Sequence, residues 1–168
     1  NLPTPKYVVT KKYDGLTINS TYDENGVLIK SGTRGTGEVG ESILEQSKTI
    51  VNLPKEIKIN DIGQIDVHGE ALMSRNAFKE YNANLKPNEI PLKNLRNGAA
   101  GALRNLNIKE CARRKLITQI YDLSYSEKHF DTYIDTLEFM KEKGFSVADY
   151  IICENFKEID KAIDDIGD

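Results

Sequence analysis

The stretch Leu16-Thr17-Ile18-Asn19-Ser20-Thr21-Tyr22-Asp23-Glu24-Asn25-Gly26-Val27-Leu28-Ile29 decides how this chain folds. Leu16, Ile18 and Tyr22 fall on one side at the period of two that a half-buried strand requires, with Thr17, Asn19 and Thr21 on the other. Asn25-Gly26 accepts positive φ at little cost, so the chain turns there and resumes as Val27-Leu28-Ile29. Further along, residues 63–72 alternate again, with Asp66, His68 and Glu70 on one face and Ile65, Val67 and Ala71 on the other. Lys115 to Tyr125 reads as another strand, and a short helix is expected at about 41–49. Ser74 is placed to cap a helix running to about Leu85. Asp131 or Thr132 caps one that carries Ile134, Leu137 and Met140 and ends at Gly144. Asn155 opens a last helix with Ile159, Ala162, Ile163 and Ile166 on one stripe. Hairpin strands first and helices interspersed later predict an α+β fold of antiparallel sheets with packed helices, not a Rossmann-type parallel sheet.

Composition bounds what such a fold can do. The 168 residues, 39% hydrophobic and 29% charged, suit one domain that buries its core without disulfide or metal staples. No apolar run approaches the roughly 20 residues that cross a bilayer, and Asn1-Leu2-Pro3-Thr4-Pro5 has no signal-peptide character. Cys111 and Cys153 lie far apart with no paired spacing, which predicts reduced thiols in the cytoplasm and no zinc site. A net charge of −3 argues against a domain whose main task is gripping nucleic acid by charge. Arg104, Lys109, Arg113, Arg114 and Lys115 still form a basic stretch, read as a solvated face or, alternatively, as a local patch for phosphates.

Four segments carry side chains suited to chemistry. In Lys11-Lys12-Tyr13-Asp14-Gly15, a strand continuing from Tyr7-Val8-Val9 would put Thr10, Lys12 and Asp14 on one face. Lys12 is then either a nucleophile, active as the free amine, or an exposed lysine before an Asp-Gly turn. In Thr33-Arg34-Gly35-Thr36-Gly37-Glu38-Val39-Gly40-Glu41, glycines let backbone amides approach a phosphate that Arg34 can grip; the plainer reading is a flexible loop. Around His68-Gly69-Glu70, Glu70 could accept a hydrogen bond from a ribose hydroxyl and a protonated His68 could meet a phosphate, unless this is simply the wet face of a sheet. The glycine between them marks close approach of a ligand or of another backbone. Finally, Leu92-Lys93-Asn94-Leu95-Arg96-Asn97-Gly98-Ala99-Ala100-Gly101-Ala102-Leu103-Arg104 reads as a tight turn into a short helix. Its N-terminus, Arg96 and Arg104 would suit an anion; the alternative is that its small residues serve close packing alone.

Taken in this order, the Lys-x-Asp-Gly core, the Thr-Arg-Gly-x-Gly loop, the x-Gly-Glu strand and the Asn-x-Arg-Asn-x-Ala-Ala-Gly-x-Leu-Arg segment closely resemble the adenylation domain of bacterial NAD-dependent DNA ligases. The likeness runs from about Tyr7 to the end. It implies the nucleotidyltransferase core of that family and nick sealing with NAD as AMP donor. Lys12 would become the AMP-lysine, NMN would leave, and AMP would pass to a DNA 5′-phosphate before a 3′-hydroxyl displaces it. Arg34 and Glu70 would hold the AMP part, joined in the nucleotide site by Thr10, Asp14 and His68. Arg96 and Arg104 would meet DNA phosphates. NAD as a consumed substrate, Mg²⁺ and nicked double-stranded DNA are the implied cofactors and partners, for a cytoplasmic monomer.

Three positions depart from the family pattern: Thr10 stands where a glutamate usually reads the adenine, Thr36 where an aspartate follows Arg-Gly, and His68 where an arginine precedes Gly-Glu. The family's later lysine motifs, its NMN-binding domain, zinc finger, oligonucleotide-binding barrel and DNA-clamping modules have no counterpart in residues 1–168. The expectation is therefore an adenylation-domain fragment that, alone, does not take AMP from NAD. An ATP-dependent nucleotidyltransferase and a non-catalytic nucleotide- or DNA-binding homologue are the competing readings.

Overall fold

The structure, a computed structural model, describes residues 3–34, 41–58 and 62–167. Its large sheet is built on the hairpin: β2 (Leu16–Tyr22) and β3 (Leu28–Thr33) pair antiparallel across a turn in which Gly26 takes φ 82°. β4 (Ile65–Leu72) adds to the other edge of β2, and β5 (Ile117–Ser126) to β4, giving the antiparallel order β3-β2-β4-β5. β1 (Tyr7–Thr10) lies apart, in a two-stranded antiparallel sheet with β6 (Tyr150–Cys153). The segment before β6 hydrogen-bonds to β5 through Ile120 N–H to Ser146 and Ala148 N–H to Ile120, so both sheets share one frame.

Alternation fixes the register. Ile65, Val67 and Ala71 are fully buried while Asp66, His68 and Glu70 are half-buried. A one-residue slip would drive three ionisable side chains into the core, each an expensive unpaired burial. The same register sets Glu70 opposite Thr17 of β2 and opposite Gln119 of β5. Under the sheet, Ile18, Ile65, Val67 and Ile120 form a continuous core with Ala99, Ala102 and Leu103 of α3 (Leu95–Leu103) and with Leu137 and Met140 of α5 (Tyr133–Glu142). α1 is only Leu44–Ser47, shorter than the expected 41–49.

The helix starts follow their caps. Ser74 accepts from Ala77 N–H to open α2 (Arg75–Ala83), Asn94 from Asn97 N–H to open α3, and Thr132 from Asp135 N–H to open α5. Gly144, at φ 94°, ends α5. Asn155 accepts from Glu158 N–H at the start of α6 (Phe156–Gly167). The expected stripe on α6 is only partly covered: Ala162 is buried, but Ile163 is 54% exposed. Two elements went unread in the sequence, β6 and α4 (Ile108–Arg113), the latter capped by Asn107.

Three cations of the basic stretch are paired within the fold. Arg113 bridges Glu89 and Glu110, Arg114 reaches Glu110 and the Gly98 carbonyl, and Lys115 pairs with Glu80. Both cysteines are free and buried. Among the described residues, no helix is long and apolar enough to cross a membrane.

Candidate functional site

β1 ends at Thr10, so Lys12 and Asp14 stand on a connecting loop and do not extend a strand face with Thr10. That loop is clamped from two sides. Lys11 N–H donates to the Asp149 carbonyl at 2.9 Å, and the Tyr13 hydroxyl donates to Asp149 Oδ2 at 3.1 Å. Burial pushes the Tyr13 phenol above its ordinary pKa. On the other side, a Cβ on Gly15 would stand 2.3 Å from the Ala71 carbonyl oxygen. Only a residue without a side chain lets the loop lie this close to β4, and this contact holds Lys12 beside the strand of Glu70.

The result is a cleft of about 450 Å³ lined by Lys12, Asp14, Thr17, Arg34, Glu70, Arg96 and Tyr121, among others. A more apolar annex of about 260 Å³ adjoins it, with Thr10, Lys11, Lys12, Tyr13, Glu70 and Tyr121 around it. Lys12 is exposed. Arg34, just past β3, is placed by its own N–H, which donates to the Thr17 carbonyl at 3.1 Å. Arg96, on the first turn of α3, lies 3.6 Å from Asp14, both side chains largely in solvent. Such a pair is worth little in stability, so either partner is free to take a ligand.

Glu70 is the most constrained group. Its Oε1 accepts from the Thr17 hydroxyl at 3.3 Å, and its Oε2 is buried without a partner among the described residues. Burial raises its pKa, with Thr17, Arg96 and Lys12 pulling the other way and Asp14 adding to the rise. An unpaired buried carboxylate oxygen is a standing demand for a hydrogen-bond donor. A neutral hydroxyl would meet that demand.

Tyr121 was placed on a strand by the sequence but not in the site. The register explains its role: Gly69 faces Ile120 and His68 faces Asp122, which leaves Tyr121 as an extra residue in a β-bulge. Bulges re-aim a side chain, and this one borders both the cleft and its annex. The Tyr133 hydroxyl donates to the Tyr121 carbonyl and fixes the bulge from behind. Burial first, then the charge of Glu70, raises the Tyr121 phenol. A bulge is invisible to a period-of-two reading, so this residue had no sequence signal.

Other anticipated residues lie elsewhere. His68 sits on the Glu70 face but outside the cleft lining, its Nδ1 3.7 Å from Asp122 Oδ2. Arg104 is the exposed C-cap of α3, eight residues from Arg96 and so about 12 Å along the helix. Gly69 marks approach of a backbone: a Cβ there would lie 2.6 Å from the Gln119 carbonyl oxygen. Thr36 and the rest of the 35–40 loop lie outside the described residues.

Residues 2–168 match the family described as the NAD-dependent DNA ligase adenylation domain. The chain is 65% identical over 167 residues to DNA ligase 1 of Clostridium acetobutylicum, covering 99% of this chain and 25% of that protein. It is 55% identical over 169 residues to DNA ligase 2 of the same organism, covering 99% of this chain and 24% of the relative. With the DNA ligase of Clostridium novyi it shares 54% identity over 164 residues, 96% of this chain and 24% of that one. The chain thus spans about a quarter of the length of these relatives. It belongs to the NAD-dependent DNA ligase adenylation domain family.

Proposed function

We propose that, as part of a full-length protein, this chain takes AMP from NAD onto Lys12 and passes it to the 5′-phosphate of nicked DNA. The observation that carries the reading is the convergence of Lys12, Arg34, Glu70, Arg96 and Tyr121 on one cleft. The unprotonated amine of Lys12 attacks the α-phosphorus, a P–N bond forms, and the P–O bond to NMN breaks. The amine's proton goes to solvent. A DNA 5′-phosphate oxygen then attacks the same phosphorus and frees Lys12, after which the neighbouring 3′-hydroxyl displaces AMP.

Each neighbour has a task on this reading. Glu70 Oε2 accepts from a ribose hydroxyl, with Thr17 holding the other oxygen. Arg34 and Arg96 stabilise the charge that develops on phosphate. The annex beside Thr10 and Tyr121 takes the adenine, with the phenol ring for stacking and no carboxylate at position 10 to read the base edge. Among the described residues no cluster of three or more His, Cys, Asp or Glu could hold a metal ion. The same reading makes the whole protein a cytoplasmic monomer acting on nicked duplex.

The test uses the chain in its full-length context. Incubation with NAD and Mg²⁺ should add the mass of one AMP, and Lys12→Ala should abolish both that gain and nick sealing. A gain that survives Lys12→Ala, or one obtained from ATP and not from NAD, overturns the reading.

A further inference from the structure

A pocket outside the nucleotide cleft sets three cations around an apolar floor. Arg75, Lys79, Lys93, Phe78, Asn94 and Leu95 line about 360 Å³ between α2 and the start of α3. Phe78 and Leu95 are half-buried, while the three cations are exposed. Among the described residues, none of the three has a carboxylate within ion-pair distance, in contrast to Arg113, Arg114 and Lys115. In a chain of net charge −3, three unneutralised cations around one pocket are a local reversal of sign.

The neighbourhood sharpens this. α2 and α3 have no acidic residue in their first turns, unlike α4 with Glu110 and α5 with Asp135. Arg75, Lys93 and Arg96 stand at those ends instead, against the helix dipole, an arrangement an anion would relieve. Leu95 and Asn94 lead directly into Arg96, which lines the Lys12 cleft. The pocket and the cleft thus take adjacent residues, Leu95 and Arg96, at the start of α3.

We propose that Arg75, Lys79 and Lys93 form a docking surface for the DNA phosphate backbone next to the strand end that enters the Lys12 cleft, with Phe78 and Leu95 packing against its sugars. This rests on the function proposed above, which requires a DNA 5′-phosphate to reach Lys12. Charge complementarity, with Arg96 of the cleft following Leu95 directly, selects a nucleic-acid backbone as the occupant. The contacts are to phosphate and sugar, so they position the duplex without reading its sequence.

The experiment uses the full-length protein with Arg75→Ala, Lys79→Ala and Lys93→Ala combined, and a charge-keeping control, Arg75→Lys, Lys79→Arg and Lys93→Arg. Affinity for a nicked duplex is measured across a salt series, beside AMP gain from NAD. The alanine variant should gain AMP normally but bind nicked DNA at least about tenfold more weakly. Its slope of log affinity against log salt should be smaller by about 2 to 3, since each phosphate contact contributes about 0.9. The control should keep the wild-type slope. Unchanged affinity and slope in the alanine variant, with AMP gain intact, overturn the proposal and leave the function standing. Loss of AMP gain together with affinity also overturns it, by placing the cations in nucleotide binding. Wild-type protein that gains no AMP defeats the functional reading instead, while the salt slopes still decide the surface.

Discussion

Thr17 donates its hydroxyl hydrogen to Oε1 of Glu70 at 3.3 Å, and Oε2 of the same carboxylate is buried with no partner among the described residues. The two residues face each other across β2 and β4, so the pair is a product of strand register as much as of side-chain chemistry. One oxygen is held so that the other can be offered.

The first prediction concerns that oxygen. Burial raises the Glu70 pKa above 4.5 in the folded chain. A raised carboxyl favours the protonated folded state, so its contribution to stability is present below the unfolded value and is lost as pH rises through the folded one. Glu70→Gln keeps an acceptor for Thr17 and removes the titration. The melting temperature of the wild type should therefore fall relative to Glu70→Gln between about pH 4 and pH 7. AMP gain from NAD should drop about tenfold to a hundredfold, the loss of one charged hydrogen bond worth about 1.5–3 kcal/mol. A melting difference that is flat with pH contradicts the assignment of burial as the dominant cause.

The second concerns Gly15. A methyl group there would lie 2.3 Å from the Ala71 carbonyl oxygen, a backbone atom that cannot swing away. Gly15→Ala should cost about 1–3 kcal/mol as strand and loop part, and AMP gain should fall with it. Gly167→Ala is the control, since nothing lies within 4 Å of a Cβ there. Equal melting temperatures for the two variants would show that the loop does not depend on the Gly15 contact.

How far these features were legible follows from what kind of information placed each one. The β2–β3 hairpin, the alternation of β4 and the caps Ser74, Thr132 and Asn155 are local patterns, and each appears where its pattern predicts. β6 was unreadable because Tyr150–Cys153 is a four-residue strand whose partner, β1, lies some 140 residues earlier in the chain. α4 was hidden inside a run that reads as surface charge, since only the fold brings Glu89 and Glu80 to Arg113 and Lys115. In the site, Lys12, Asp14, Arg34, Glu70 and Arg96 were all named from motifs, and the structure brings them to one cleft. Tyr121 needed the bulge, and His68, opposite Asp122, stands outside the cleft lining. Neither event leaves a trace in composition or period.

The third prediction separates stability from chemistry at Arg96. Its pair with Asp14 spans 3.6 Å, with side chains 64% and 82% exposed. Exposed pairs of this kind are worth about 0–1 kcal/mol, so Arg96→Ala should move stability by less than about 0.5 kcal/mol. Activity should not be spared, because the guanidinium is assigned to phosphate in the cleft. Nick sealing by the full-length variant should fall at least about tenfold, consistent with loss of one charged hydrogen bond. A large loss of thermal stability would instead make Arg96 a structural residue.

The last prediction concerns Arg113, outside the cleft. Its guanidinium donates to Glu89 at 2.8 and 2.9 Å and to the Asn84 carbonyl at 2.8 Å, and it lies 4.5 Å over the ring of Tyr81. These bonds hold the Glu89 carboxyl down to about 2. A depressed carboxyl contributes stability that is present above its unfolded value and lost as pH falls through the folded one. The loss therefore belongs to the window from about pH 4.5 down to about pH 2, where Glu89 takes up a proton and releases Arg113. Arg113→Met removes the largest cause and leaves the Lys86 N–H on Glu89 Oε2, so Glu89 should titrate closer to its ordinary value and the acid limb of the melting curve should flatten over that window. At pH 7 the variant should melt lower than wild type yet keep full AMP gain from NAD, since the α4 network touches none of the residues around Lys12. An unchanged acid limb in Arg113→Met would mean that Glu89 is held by something other than this guanidinium.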